Sequence, residues 1–296
     1  MVARPQGTRT LISPAALQRA TGKRIYWILL VTVILLFSLA FLGPLYWMVT
    51  GGLKTGREIA QIPPTLFPEN PDPGNYADAW IGIGLGRLLV NTIWYAAGAL
   101  AFQLVLGVGA AYAFSKLRPM FGNIVLALML ATLMIPATVL VIPQYVTVIN
   151  MPIFGWNLLN TPWAIWLPAV TNAFNIFLLK RFFDSIPNEM LQAAAIDGAG
   201  PIRVLWSIIL PVSRPILGVV SIFSVTAVFK DFLWPLLVQP GTNTKTLNVG
   251  IYAFSTGIGQ NVVIAAAVIA AIPTIIFFLI FQKNIMAGLT VGSVKG

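Results

Sequence analysis

Residues Pro119 to Leu179 read PMFGNIVLALMLATLMIPATVLVIPQYVTVINMPIFGWNLLNTPWAIWLPAVTNAFNIFLL, without one charged side chain. A helix crosses the hydrocarbon core of a bilayer with roughly 20 apolar residues, so this run is too long for one crossing and long enough for two. Asn150, Pro152, Gly155 and Asn157 sit near its middle and mark a hairpin. The run therefore predicts two spans, about 122–147 and 162–181. Four more are read outward from it: Ile25 to Val49, Leu88 to Ser115, Pro211 to Trp234 and Val262 to Gln282. The first of these is too long for the apolar core of a signal peptide, and no small-residue cleavage site closes it. The expected fold is an all-α polytopic membrane protein with six transmembrane helices over residues 25–284.

Composition leads to the same class. Of 296 residues, 58% are hydrophobic and 9% charged, whereas a soluble domain carries about a quarter charged. The mean hydropathy is +0.86. A soluble enzyme is excluded on this ground. With neither cysteine nor histidine, the chain has no disulfide, thiolate nucleophile, zinc cluster or imidazole base, so no catalytic or metal site is expected. The net charge of +10 is explained by topology and not by nucleic acid. With the N-terminus inside, 13 Lys and Arg fall on or next to the inner side. Five, Lys54, Arg57, Arg87, Lys230 and Lys245, fall outside or near the outer face. Inner loops of membrane proteins carry the positive excess. Both termini, segment 1–24 and tail 285–296, are accordingly expected on the cytoplasmic side.

The segment 51–85 reads as an outer loop with one short helix, broken by Pro63, Pro64, Pro68, Pro71 and Pro73. Gly82, Gly84 and Gly86 form no phosphate-binding loop, because no Gly-Lys-Ser/Thr follows them. Charges near membrane depth face a bundle interior or a water-filled cavity, which makes Lys230 and Asp231 candidates for lining a pathway; an interfacial packing pair is the other reading. Asn172 and Asn175, like Asn91 and Gln103, offer hydrogen bonds either to a passing solute or between helices.

The largest inner segment is 182–210, FFDSIPNEMLQAAAIDGAGPIRVLWSIIL. Pro187 suits a first helical turn, Glu189 suits the positive end of the helix dipole, and Gly198 suits a stop. A short helix over 188–197 is predicted, with three alanines that admit another backbone closely.

This segment resembles the signature EAA-x3-G-x9-I-x-L-P of the permease subunits of binding-protein-dependent ABC importers. Gln192-Ala193-Ala194, Gly198 and Ile208-Ile209-Leu210-Pro211 stand at that spacing, and Asp197-Gly198-Ala199 is typical of the carbohydrate branch. Gln192 replaces the signature's glutamate. Asn91-Thr92, Ala111 to Lys116, Phe229 to Pro235 and Gly288 to Gly296 are similar to the MalG-type subunits of that branch, so the resemblance covers roughly 88–296. It implies a type I importer fold and a coupling helix, with Glu189, Gln192, Ala193, Ala194, Asp197 and Gly198 meeting the ATPase. It further implies that tail residues Val294, Lys295 and Gly296 reach between the ATPase subunits.

The partners implied are a second homologous permease, two ATPase subunits that hold ATP and Mg, an extracytoplasmic solute-binding protein and a sugar. No cofactor belongs to this chain. Two other functional classes fit the sequence less well. An ion-coupled secondary transporter lacks support, because six helices show no obvious inverted repeat and almost no buried carboxylate. A membrane-embedded enzyme would need a nucleophile, a metal site or paired carboxylates, and the sequence offers none.

Overall fold

The computed structural model describes residues 20–290, with side chains to Gln282; among the described residues all regular structure is helical. Helix α1 (Ala20–Gly51) is followed by two short helices, α2 (Gly56–Ile59) and α3 (Gly74–Gly82), where one was expected. Next come α4 (Leu85–Leu117), α5 (Gly122–Thr132) and α6 (Ala137–Ile149). After the hairpin stand α7 (Trp163–Val170), α8 (Ala173–Asp184), α9 (Asn188–Ile196), α10 (Pro201–Val212) and α11 (Arg214–Lys230). The chain ends with α12 (Leu233–Val238), α13 (Leu247–Phe254) and α14 (Gln260–Thr290).

Among the described residues, three helices are long and apolar enough to cross a membrane unaided: α1, α4 and α14 over Gln260–Gln282. Two bent pairs raise the number to five if each is one crossing: α5 with α6 at 110°, and α10 with α11 at 82°. Prolines place both bends. Pro136 lacks an amide hydrogen and disfavours helical backbone at the residue before it, and its own ψ of 130° opens the gap between α5 and α6. Pro211 and Pro215 flank the bend at Ser213, each lacking the amide hydrogen that would carry the helix through it. The stretch expected as one span over 162–181 forms two helices, α7 and α8, interrupted at Thr171 and Asn172. Pro168 in α7 cannot donate to the carbonyl of Ala164, and the indole N–H of Trp234 takes that place at 2.8 Å.

Helix α4, about 50 Å long at 1.5 Å per residue, sets the order of the packing. Near its start, Leu85 and Leu88 meet Ala79, Leu247, Ala265 and Ala266. Midway, Tyr95, Ala96 and Ala99 meet Trp166, Val225 and Trp234. At its far end, Val108, Ala111 and Tyr112 meet Leu179, Phe183, Ile209 and Val220. Inside a bilayer lipid tails compete with apolar side chains, so close approach at small residues has to carry the contact. Gly98 shows this: a Cβ there would overlap the Trp166 indole, which instead lies against the helix and donates to the Tyr95 carbonyl at 3.1 Å. Helix α1 contributes little to this core, and its apolar surface, Leu39 and Phe41 included, is largely open.

Polar side chains clamp the segment between α1 and α4. Buried Asn75 donates to the carbonyls of Gly52 and Lys54 at 3.1 and 3.0 Å and accepts from Asn261 at 2.7 Å. Glu58 Oε1 accepts from the Thr65 hydroxyl at 2.6 Å and the Glu69 amide at 3.0 Å. The Thr65 hydrogen bond first, with the Glu69 amide and the Lys54 charge, outweighs burial and holds the Glu58 carboxyl below the usual carboxylate range. Lys54 is buried with its ammonium 4.5 Å from the Trp47 ring centre.

Candidate functional site

Helix α9 begins at Asn188, where the 188–197 reading starts it, but Pro187, expected in the first turn, holds an extended ψ of 136° and sits at the cap. Its end follows the predicted stop. Asp197 caps, Gly198 takes φ +74°, the Gly198 amide donates to Ala195 and the Ala199 amide donates back to Ala194 at 2.9 Å. This doubly bonded, left-handed ending favours glycine, since a left-handed conformation puts a Cβ too near the following carbonyl. Ala194 is buried in the cluster at the end of α4, with Leu191 and Ala199 against it.

The helix is braced by residues distant in sequence. Lys116 Nζ donates to the Ile186 carbonyl at 3.0 Å and to Asn188 Oδ1 at 3.5 Å, holding the entry to α9. The Tyr112 hydroxyl donates to the Pro201 carbonyl at 3.0 Å, holding its exit. Ser115 donates to Asp184 Oδ1 at 2.8 Å, and Lys180 pairs with Asp184 Oδ2 at 2.7 Å. Reading by motif missed Tyr112, Ser115 and Lys116 as supports. The Lys180–Asp184 pair was open to detection, because residues four apart in a helix are neighbours.

Between the braces, α9 presents Glu189, Gln192, Ala193 and Asp197 to the outside. Apolar side chains accompany them: Ile196 is 87% exposed, Ile202 75% and Trp206 68%. Together they form a low surface with a small-residue centre, an apolar margin and a rigid scaffold beneath. An open patch of large apolar groups on a well-braced element suits a protein partner. Residues Val294, Lys295 and Gly296 lie outside the described residues.

The expected pathway residues are divided. Asn172 caps α8 by accepting from the Asn175 amide at 3.0 Å, and it also lines a cavity of about 440 Å³ with Asp231, Gln144 and Thr138. Lys230 faces a different cavity of about 780 Å³ with Asn248, Phe232 and Tyr252, so Lys230 and Asp231 do not act as a pair. The reason is local: α11 ends at Lys230 and Asp231 turns extended, sending successive side chains apart. Asn175 is buried within the helix packing, with its Oδ1 lacking a partner among the described residues. Asn91 serves as internal glue, donating to the carbonyls of Asn243 and Lys245. Gln103 is fully buried.

The model for the binding-protein-dependent transport system inner membrane component matches residues 103–290. The chain is 28% identical over 269 residues to the diacetylchitobiose uptake system permease of Streptomyces coelicolor, covering 89% of this chain and 87% of that one. It is 30% identical over 260 residues to the sulfoquinovosyl glycerol transport system permease of Agrobacterium fabrum, covering 86% and 89%. An sn-glycerol-3-phosphate transport system permease of Yersinia pestis is 29% identical, with 85% and 91% covered. A crystal structure of a bacterial ABC transporter involved in alginate import superposes with a TM-score of 0.76 at 23% identity, over 90% of this chain and 98% of that one. The backbone thus has the fold of an ABC importer permease. Matched by the family model over more than half its length, this chain belongs to the binding-protein-dependent transport system inner membrane components.

Proposed function

We propose that the chain is one of two homologous permease subunits of an ATP-driven importer for a sugar or related polyhydroxy solute, and that α9 is its coupling helix. The exposed face of α9, set on a support from α4, α8 and α10, carries this reading. A helix that transmits an ATPase movement has to move as a body with the pathway helices, and the Lys116 and Tyr112 hydrogen bonds tie α9 to α4. Glu189, Gln192, Ala193, Ala194, Asp197 and Gly198 then form the docking element, and Val294 to Gly296 extend toward the ATPase pair. ATP and Mg belong to those partners. The bent pairs and the α7–α8 break are read as single crossings, making six spans with both termini cytoplasmic.

Solute recognition belongs to the pathway half. Asn172 and Asp231 on one cavity, and Lys230 on the other, offer the polar contacts; Asn175 sits behind them. The named solutes of the three relatives, a chitobiose derivative, a sulfosugar glycoside and a glycerol phosphate, support a small polyhydroxy cargo. A binding protein, like the one in the alginate importer complex, would deliver it.

The test is purification in mild detergent followed by an ATPase assay. Recovery of a second permease and an ATPase, with hydrolysis stimulated by sugar-loaded binding protein, supports the proposal. Purification of the chain alone, with ion-driven uptake in vesicles, would replace it with a secondary transporter.

A further inference from the structure

The cavity of about 440 Å³ between α6, α7, α11 and α12 is unbalanced in charge. Thr138, Val141 and Gln144, three residues apart, turn one face of α6 toward it, and Asn172 and Asp231 stand on its other walls. Asp231 Oδ1 accepts from the Trp234 amide at 3.3 Å and so caps α12. Its second oxygen meets no donor among the described residues. Lys230, the neighbouring cation, faces the other cavity, and no Lys or Arg lines this one. A carboxylate without a partner near membrane depth is stable only where water or a solute reaches it, and Asp231 is half-buried and opens into this space.

The other polar groups on the cavity are neutral, one hydroxyl and two carboxamides. Asn172 Oδ1 is taken by the Asn175 amide at 3.0 Å, which leaves the Asn172 NH2 as a donor. The cavity therefore offers Asp231 as an acceptor, Asn172 as a donor, and Thr138 and Gln144 as both. Hydroxyl groups, which donate and accept, match that set. An anionic group would meet the like charge of Asp231 with no cation to offset it. A cationic group would find one carboxylate, already shared with the α12 amide, among donors it cannot use.

We propose that Asp231 makes this subunit selective for neutral polyhydroxy solutes. Its free oxygen accepts from solute O–H groups, and its unbalanced charge turns away solutes that carry phosphate, sulfonate or carboxylate. Discrimination of this kind works by penalising the wrong solute as much as by binding the right one. The proposal rests on the importer reading and names the charge class of its cargo.

The chain has no cysteine, so one introduced thiol can report on the cavity. Val141→Cys places it on the α6 face without removing a polar group. In the full-length chain within its importer complex, mass spectrometry follows modification of that thiol by methanethiosulfonates of similar size with a positive, a negative or no charge. The positive reagent should react faster than the negative one. Asp231→Asn keeps an oxygen to cap α12 and removes the charge, and should lower that ratio at least about fivefold, the weight of one charge about 4 Å away even in water. Methyl glucoside should protect the thiol from the neutral reagent, and methyl glucuronide should protect it only in D231N. An unchanged ratio in D231N would remove the field from the cavity. Equal protection by both sugars with Asp231 present would overturn the selectivity, and protection by neither would remove the solute site. Failure of the importer reading shows elsewhere, as purification without an ATPase, and leaves the thiol ratio as it is.

Discussion

Replacing Gly198 tests whether the end of α9 is held by backbone conformation or by room for a side chain. A Cβ built on Gly198 meets nothing within 4 Å, so no collision enters the balance. What remains is φ +74°, which costs an ordinary L-residue about 1–2 kcal/mol and asparagine less. An opening equilibrium displaced by that amount changes about 5- to 30-fold. The Gly198 and Ala199 amides, bonded to Ala195 and Ala194, report the opening directly. Hydrogen exchange followed by mass spectrometry on peptides spanning 188–200 should show them exchanging about 5- to 30-fold faster in Gly198→Val, with Gly198→Asn between valine and wild type. Solute-stimulated ATPase activity of the complex should fall in the same order while the subunit remains inserted. If the asparagine and valine variants exchange alike, or if valine matches wild type, the left-handed ending is not what holds α9.

Other perturbations address the supports. Asn75→Ala removes three hydrogen bonds between the segment after α1 and α14, leaving buried carbonyls unpaired; a loss of about 2 kcal/mol is expected, read as a lower Tm in detergent. Gly98→Val drives a side chain into Trp166 and should cost about 1–3 kcal/mol, whereas Gly109→Ala, facing open space, should melt close to wild type apart from the helix-propensity gain. Because the Glu58 carboxyl is held below its ordinary value, its contribution is fully present above about pH 4.3, the unfolded value, and is lost as pH falls through the lowered one. Exchange of the Glu69 amide should therefore quicken, beyond its intrinsic pH dependence, on acidification below that range, and Glu58→Gln should abolish the pH dependence of the protection. Gln192→Glu changes an exposed position and should leave stability within about 0.5 kcal/mol; a larger drop in Tm would mean that Gln192 is packed in a way its exposure does not indicate.

Much of the fold was legible because its determinants are local. The uncharged run from Pro119 to Leu179 announced membrane helices, and Asn150 to Asn157 marked a break that the chain makes between Ile149 and Trp163. Gly198 announced the end of α9, since a left-handed residue is a property of one position. The prolines were visible too, but their consequences were not. Whether proline kinks a helix or splits it depends on who satisfies the freed carbonyl. For Pro168 that is Trp234, a residue far along the chain. Lys230 and Asp231, adjacent in sequence, read as a pair, and only the exact end of α11 sent them to separate cavities.

The amino-acid sequence by itself determined that this is a helical membrane protein, where its charges gather, and which short segment bears the importer signature. The first two follow from composition and hydropathy, which act over a few helical turns, and the third from a motif's resemblance to a family. Tertiary structure alone decided what holds that segment in place. Lys116 reaches Ile186 and Tyr112 reaches Pro201 across 70 and 89 residues. The bundle also decided that Asn172, whose capping of α8 is local, stands at a cavity shared with Asp231. Contacts of that kind form only when packing brings distant donors and acceptors together, because each buried polar group must find a partner wherever the fold supplies one.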